Sequence, residues 1–137
     1  MSTTETSQLP RPRTVFDKAL TVGVEEEFLL VDAVTRAVAP LAPDVLNEKS
    51  PYDLQAELTE FQVESATPVC RSMSEVRDSL VTTRKTLGTM AAAHGTRIVA
   101  TGTPLLGTVK PVPLTDDPRY RRMEVEYGRL VHDLTIC

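Results

Sequence analysis

Between Leu20 and Asp32 the chain reads Leu-Thr-Val-Gly-Val-Glu-Glu-Glu-Phe-Leu-Leu-Val-Asp. β-Branched and large apolar residues dominate, and an aspartate closes the run, which is the pattern of a strand. Residues 33–40 suit a turn and a short returning strand that ends at Pro40. Asp44 to Glu48 suits a short helix. Leu54 to Thr67 reads as extended, either one long strand or two short ones. Ser72 and Glu75 have the spacing of a capping box. After them Met73, Val76, Leu80, Leu87 and Met90 recur on one helical face, and Gly95 stands where a helix closes on a left-handed residue. Arg97 to Thr101 is a further strand. Residues 102–113, broken by glycine and proline, form a loop. Asp116 or Asp117 caps a last helix with Pro118 in its first turn. Its expected buried face is Tyr120, Met123, Tyr127, Leu130 and Leu134. Thr135 to Cys137 resemble the entry to another strand. The polar, proline-bearing residues 1–18 read as a disordered leader, leaving 19–137 as one domain. Strands and helices mix without a regular βαβ alternation, so the expected class is α+β with a mostly antiparallel sheet.

Composition narrows the function classes. The 137 residues are 41% hydrophobic, enough for a real core. There is no Trp and aromatics are 4%, so that core is mainly aliphatic. Net charge is −4 and no basic stripe exists, which argues against nucleic acid as a partner. No apolar run approaches the ~20 residues of a membrane span, and the N-terminus lacks the apolar stretch of a secretory signal. Cys70 and Cys137 form no CxxC pair and suit reduced thiols in the cytoplasm.

The candidate chemistry lies in carboxylates. In a strand, alternation puts Glu25 and Glu27 on one face, with Cα atoms roughly 6.6–7 Å apart, and Glu26 on the other. Two neighbouring carboxylates repel, and burying them unpartnered costs several kcal/mol each. A hard cation such as Mg²⁺, which takes carboxylate and phosphate oxygens, would remove the conflict. The alternative is a sheet edge with its glutamates in water. Glu57 and Glu64 form a second acidic pair. A turn at Glu60-Phe61 would set them opposite each other, but that dipeptide has no turn chemistry; a straight strand would put them on opposite faces. Gly102-Thr103-Pro104 lacks the signatures of phosphate loops. Arg119, Arg121 and Arg122 could meet phosphate or carboxylate, or form a solvated helix face. His94 and His132 have no partner at metal-ligand spacing, and Cys70 has no evident activating base.

Read together, Thr21 to Asp32, Val63-Glu64-Ser65-Ala66-Thr67-Pro68-Val69-Cys70 and the block around Arg119-Tyr120-Arg121 resemble the bacterial glutamate–cysteine ligase (type 2) family of carboxylate–amine ligases. The resemblance runs from about residue 20 to the end. It implies a glutamine-synthetase-like catalytic fold with helices on one face of the sheet. It implies Mg²⁺ held against ATP phosphates by Glu25, Glu27 and Glu64, with Glu57 as a further ligand, and substrate contacts from Arg119 and Arg122. The implied reaction activates a carboxylate, typically the γ-carboxylate of glutamate, as an acyl phosphate, and an amine, typically that of cysteine, displaces phosphate. No covalent enzyme nucleophile is needed. The family continues beyond the position of Cys137 into a strand bearing His-Val-His, so the expectation is a truncated catalytic domain, inactive alone and prone to self-association into dimers or larger homo-oligomers. The competing readings are an interaction or assembly module and an amide ligase with another amine acceptor.

Overall fold

A computed structural model describes residues 19–108 and 110–133. Its elements are β1 (Glu25–Asp32), α1 (Ala42–Leu46), β2 (Asp53–Ala56), β3 (Gln62–Ala66), α2 (Met73–Ala93), β4 (Thr96–Val99) and α3 (Pro118–Asp133). The four strands form one antiparallel sheet in the order β2-β3-β1-β4, so the class is α+β. Since β3 and β4 both run against β1, they are parallel to each other. Helix α2 joins them across β1, a split crossover that the sequence pattern did not disclose.

The two faces of the sheet differ. On one, Phe28, Leu30 and Val63 pack against Ala42 and Val45 of α1 and Leu87, Met90 and Ala91 of α2. On the other, Leu29 packs with Val38, Phe61 and Val112 near one end, and the opposite end carries Glu25, Glu27 and Glu64. Helix α3 contributes to neither cluster, so two of the three helices cover one face.

Local signals formed as expected around α2. The Glu75 amide donates to Ser72 Oγ at 3.2 Å, while the Glu75 carboxylate accepts from the Arg71 amide at 2.6 Å. Gly95 follows the helix at φ +69°, a conformation in which any Cβ is strained. Asp32 ends β1 because its Oδ1 accepts from the Val34 and Thr35 amides at 2.9 and 2.6 Å. Those bonds hold its carboxyl below the usual range.

Other expectations need correction. The returning strand of 33–40 is a single bridge between Val38 and Val31. Met73 is 72% exposed, whereas Val76, one turn on, is buried. In α3, Tyr120 is buried as expected, but Tyr127 and Leu130 are exposed and Val131 is buried instead. The helix is kinked at Tyr127, where φ is −135° and ψ 29°, and the kink rotates the last turns away from the projected face. Leu134 and the strand projected at 135–137 lie outside the described residues, as does the leader.

The segment 54–67 is two strands, and its turn is closed by side chains. The Thr59 hydroxyl and amide both donate to Gln62 Oε1, at 2.7 and 3.1 Å, and Phe61 is driven into the core.

Leu87→Ala should cost about 2–5 kcal/mol, by removing a fully buried side chain and leaving a cavity. A lowered urea midpoint with an unchanged slope would register it, and Met73→Ala should stay within about 0.5 kcal/mol of the parent. Gly95→Ala should cost about 1–2 kcal/mol, from the left-handed backbone alone.

Candidate functional site

The register of β1 and β3 pairs Glu27 directly with Glu64. Directly paired residues share a face, with Cα atoms about 4.5–5.5 Å apart. Glu25, two residues earlier, shares that face. The three carboxylates line one open depression of about 540 Å³, together with Ala100, Thr101 and Gly102. Thr101 also lines a smaller apolar pocket with Leu29, Val31, Val38 and Val99.

The pairing is held at its open end by Thr67. The Val24 amide donates to Thr67 Oγ1 at 3.0 Å, and the Thr67 amide donates to the Val24 carbonyl at 2.9 Å. Glu26 emerges on the opposite face and is taken up by Arg84 of α2. Arg84 Nε donates to Glu26 Oε2 at 2.8 Å, and Nη2 makes a second bond to Oε1. Thus three consecutive glutamates are sorted by alternation into one cation-paired residue and two left facing Glu64. Among the described residues, Glu25, Glu27 and Glu64 have no hydrogen-bond donor and no cationic partner.

Glu57 is not opposite Glu64; Gln55 holds that place. Glu57 follows the end of β2, and its carboxylate is occupied. Tyr120 Oη donates to Glu57 Oε2 at 2.6 Å, and Arg119 Nη2 approaches the same oxygen at 3.5 Å. Arg119 also donates to Tyr120 Oη, with its guanidinium 4.5 Å from the ring centroid. Arg121 pairs with Asp116 at 2.9 Å, and Arg122 is exposed.

The electrostatics follow from this placement. Partial burial, then the charges of Glu57 and Glu25, raise the Glu27 carboxyl above its ordinary value. Burial, then Glu25, Glu57, Glu27 and Asp53, raise Glu64. Tyr120 is pushed up to about 12 by burial and by its bond to Glu57, so it stays a donor at neutral pH. The face therefore concentrates negative charge without a compensating side chain among the described residues.

Among the described residues, no three His, Cys, Asp or Glu side chains already enclose a metal-sized space. The donor set consists of hard carboxylate oxygens around an open depression. It fits an ion such as Mg²⁺, which takes one or two protein carboxylates and completes its shell with water and phosphate oxygens, better than a cation needing a full protein cage.

Sequence reasoning missed Thr101 as a wall of the depression and weighed Gly102 only as part of a phosphate loop. A glycine directly after a strand was the available signal. It also left the Tyr120–Glu57 bond undetected, since nothing local links residues so far apart.

No helix among the described residues is long and apolar enough to cross a membrane. The family model for glutamate–cysteine ligase family 2 matches residues 21–137. A Saccharopolyspora erythraea protein named "Putative glutamate–cysteine ligase 2-1" is 42% identical over 86% of this chain and 32% of its own length. A Mycobacterium sp. protein named "Putative glutamate–cysteine ligase 2-2" is 43% identical over 85% of this chain and 32% of its own. A Rhodococcus jostii protein named "Putative glutamate–cysteine ligase 2-1" is 37% identical over 86% and 32% respectively. The chain spans about a third of the length of these curated relatives. With the matched span beginning just before β1 and taking in every strand and helix of the fold, the chain belongs to glutamate–cysteine ligase family 2.

Proposed function

We propose that this chain supplies the Mg²⁺-binding acidic face of an ATP-dependent ligase that joins the γ-carboxylate of glutamate to the amine of cysteine or a similar acceptor. The observation that carries the reading is the direct pairing of Glu27 with Glu64, beside Glu25, without a cationic partner among the described residues. Family membership supplies the reaction class, and the names of the relatives supply the substrates by analogy. The glutamine-synthetase-like architecture, the cytoplasmic setting and the amino-acid and ATP partners belong to the same reading.

Bound Mg²⁺ would neutralise phosphoryl oxygens and orient them for in-line transfer. Glu25, Glu27 and Glu64 would hold it, with Glu57 at the margin. A carboxylate oxygen of glutamate attacks the γ-phosphorus of ATP and ADP leaves. The amine nitrogen then attacks the resulting acyl carbon, phosphate leaves, and the nitrogen gives up a proton. The side chains bind and orient throughout; none forms a covalent bond to substrate. Arg119, which reaches Glu57 at 3.5 Å, and Arg122 on the same helix would meet an anionic substrate group in this reading, although Arg119 must exchange its present hold on Glu57 to do so.

In a chain spanning the relatives' full length, phosphate release should depend on glutamate and an amine together. Glu25→Gln, Glu27→Gln and Glu64→Gln should each lower turnover by at least about a hundredfold, the lower range for loss of a charge-stabilising group, with little loss of folding. Glu26→Gln, on the far face, should be milder. Phosphate release unaffected by all three substitutions would sink the assignment.

A second expectation concerns stability. Glu27 and Glu64 have raised folded-state values, so the proton-bound forms favour folding. That contribution is complete below the ordinary glutamate value and is lost as pH rises through the raised values. Without metal at pH 7, Glu27→Gln should therefore stabilise the fold by roughly 0.2–1 kcal/mol, the scale of a cross-strand charge pair. The advantage should vanish near pH 4. Millimolar Mg²⁺ should reverse the order at pH 7 by stabilising the parent preferentially. Thermal melts at the two pH values, with and without Mg²⁺, measure all three comparisons.

A further inference from the structure

We infer that Tyr120 is a positioning residue for Glu57, and that α3 thereby sets the fourth carboxylate of the acidic face. This rests on the reading of that face as a divalent-cation site.

Glu57 lies just past the end of β2, where no strand ladder fixes its side chain. Both its backbone and its carboxylate are held by the segment that leads into α3. The Thr115 hydroxyl donates to the Glu57 carbonyl. The Thr115 amide donates to the Leu58 carbonyl, and the Glu60 amide to the Pro113 carbonyl, each at 3.0 Å. The side chain is then gripped by the Tyr120 hydroxyl at 2.6 Å. Tyr120 is 4% exposed, so its ring is locked by packing while its one polar atom is aimed at Glu57. Arg119, stacked on the ring and donating to the same hydroxyl, fixes the direction of that O–H toward the carboxylate.

The grip is one-sided. Tyr120 and Arg119 both address Oε2, which leaves Oε1 without a protein donor among the described residues. A carboxylate held by one oxygen and open at the other is the arrangement in which an outer hydrogen bond orients a metal ligand. The charge of Glu57 already reaches both Glu27 and Glu64, so its orientation bears on the whole face. The block around Tyr120 thus gains a role that its exposed arginines did not suggest.

The test is a double-mutant cycle on Mn²⁺ affinity, read by electron paramagnetic resonance. Mn²⁺ shares the preference of Mg²⁺ for oxygen ligands. Tyr120→Phe keeps the ring and deletes one oxygen. It should weaken Mn²⁺ binding about tenfold, the lower range for loss of an outer-sphere partner, and should do nothing further in a Glu57→Gln background. Equal losses in both backgrounds, or no loss at all, would overturn the inference. If the parent binds no Mn²⁺, the metal reading fails, and amide exchange decides the positioning role separately. Faster exchange at Glu60 and Thr115 in Tyr120→Phe, with β1 unchanged and no added effect beside Glu57→Gln, sustains it. Unaltered exchange at those two amides overturns it.

Discussion

The fold is organised around a repulsion. Pairing β1 with β3 in the observed register sets Glu27 against Glu64, and like charges directly opposed weaken a sheet. The register persists because the other face leaves no choice. Sliding β3 by one residue would turn Val63 out of the core and bring Gln62 or Glu64 in, exchanging a modest repulsion for loss of apolar burial and a buried charge. Core packing thus holds the acids where, by themselves, they would not stay. Under the proposed cation-binding role, the carboxylates would already be gathered before the ion arrived.

The sheet divides labour between its faces. Helices α1 and α2 seal one face with aliphatic side chains, consistent with a composition almost free of aromatics. Arg84 uses the rim of that face to neutralise the one glutamate of the triplet that alternation sends there. The opposite face keeps Leu29 and Val31 near one end and the acids near the other, so an apolar pocket and an acidic depression adjoin at Thr101. Helix α3 stands apart from this layering. It is tied to the sheet through Tyr120 and to the preceding loop through a 2.9 Å ion pair between Lys110 and Asp133.

What was legible in the sequence was local. Alternation in β1 separates Glu26 from Glu25 and Glu27, and the Ser72 cap and Gly95 bound α2, because each depends on a few adjacent residues. The 59–62 turn was illegible because it is built from Thr59–Gln62 side-chain bonds and a buried phenylalanine instead of glycine, proline or asparagine. The later face of α3 was misjudged because helical periodicity assumes a straight axis, and the kink at Tyr127 breaks it. The sequence offered Glu57 through a turn at Glu60-Phe61 that would set it opposite Glu64. The structure puts Gln55 there and ties Glu57 to a hydroxyl more than sixty residues away along the chain, which no pattern of spacing encodes.

A divalent cation is proposed to bind the face bearing Glu25, Glu27 and Glu64. Paramagnetic line broadening on adding sub-stoichiometric Mn²⁺ to isotope-labelled protein tests it most directly, since it reports location without requiring turnover. Broadening should centre on the amides of Glu25 to Glu27, Glu64, Thr101 and Gly102, spare the outer surface of α2, and disappear on competition with excess Mg²⁺. Broadening centred elsewhere, such as on Asp116 and Asp117 or on Asp78, or spread evenly over the acidic surface, would contradict the account.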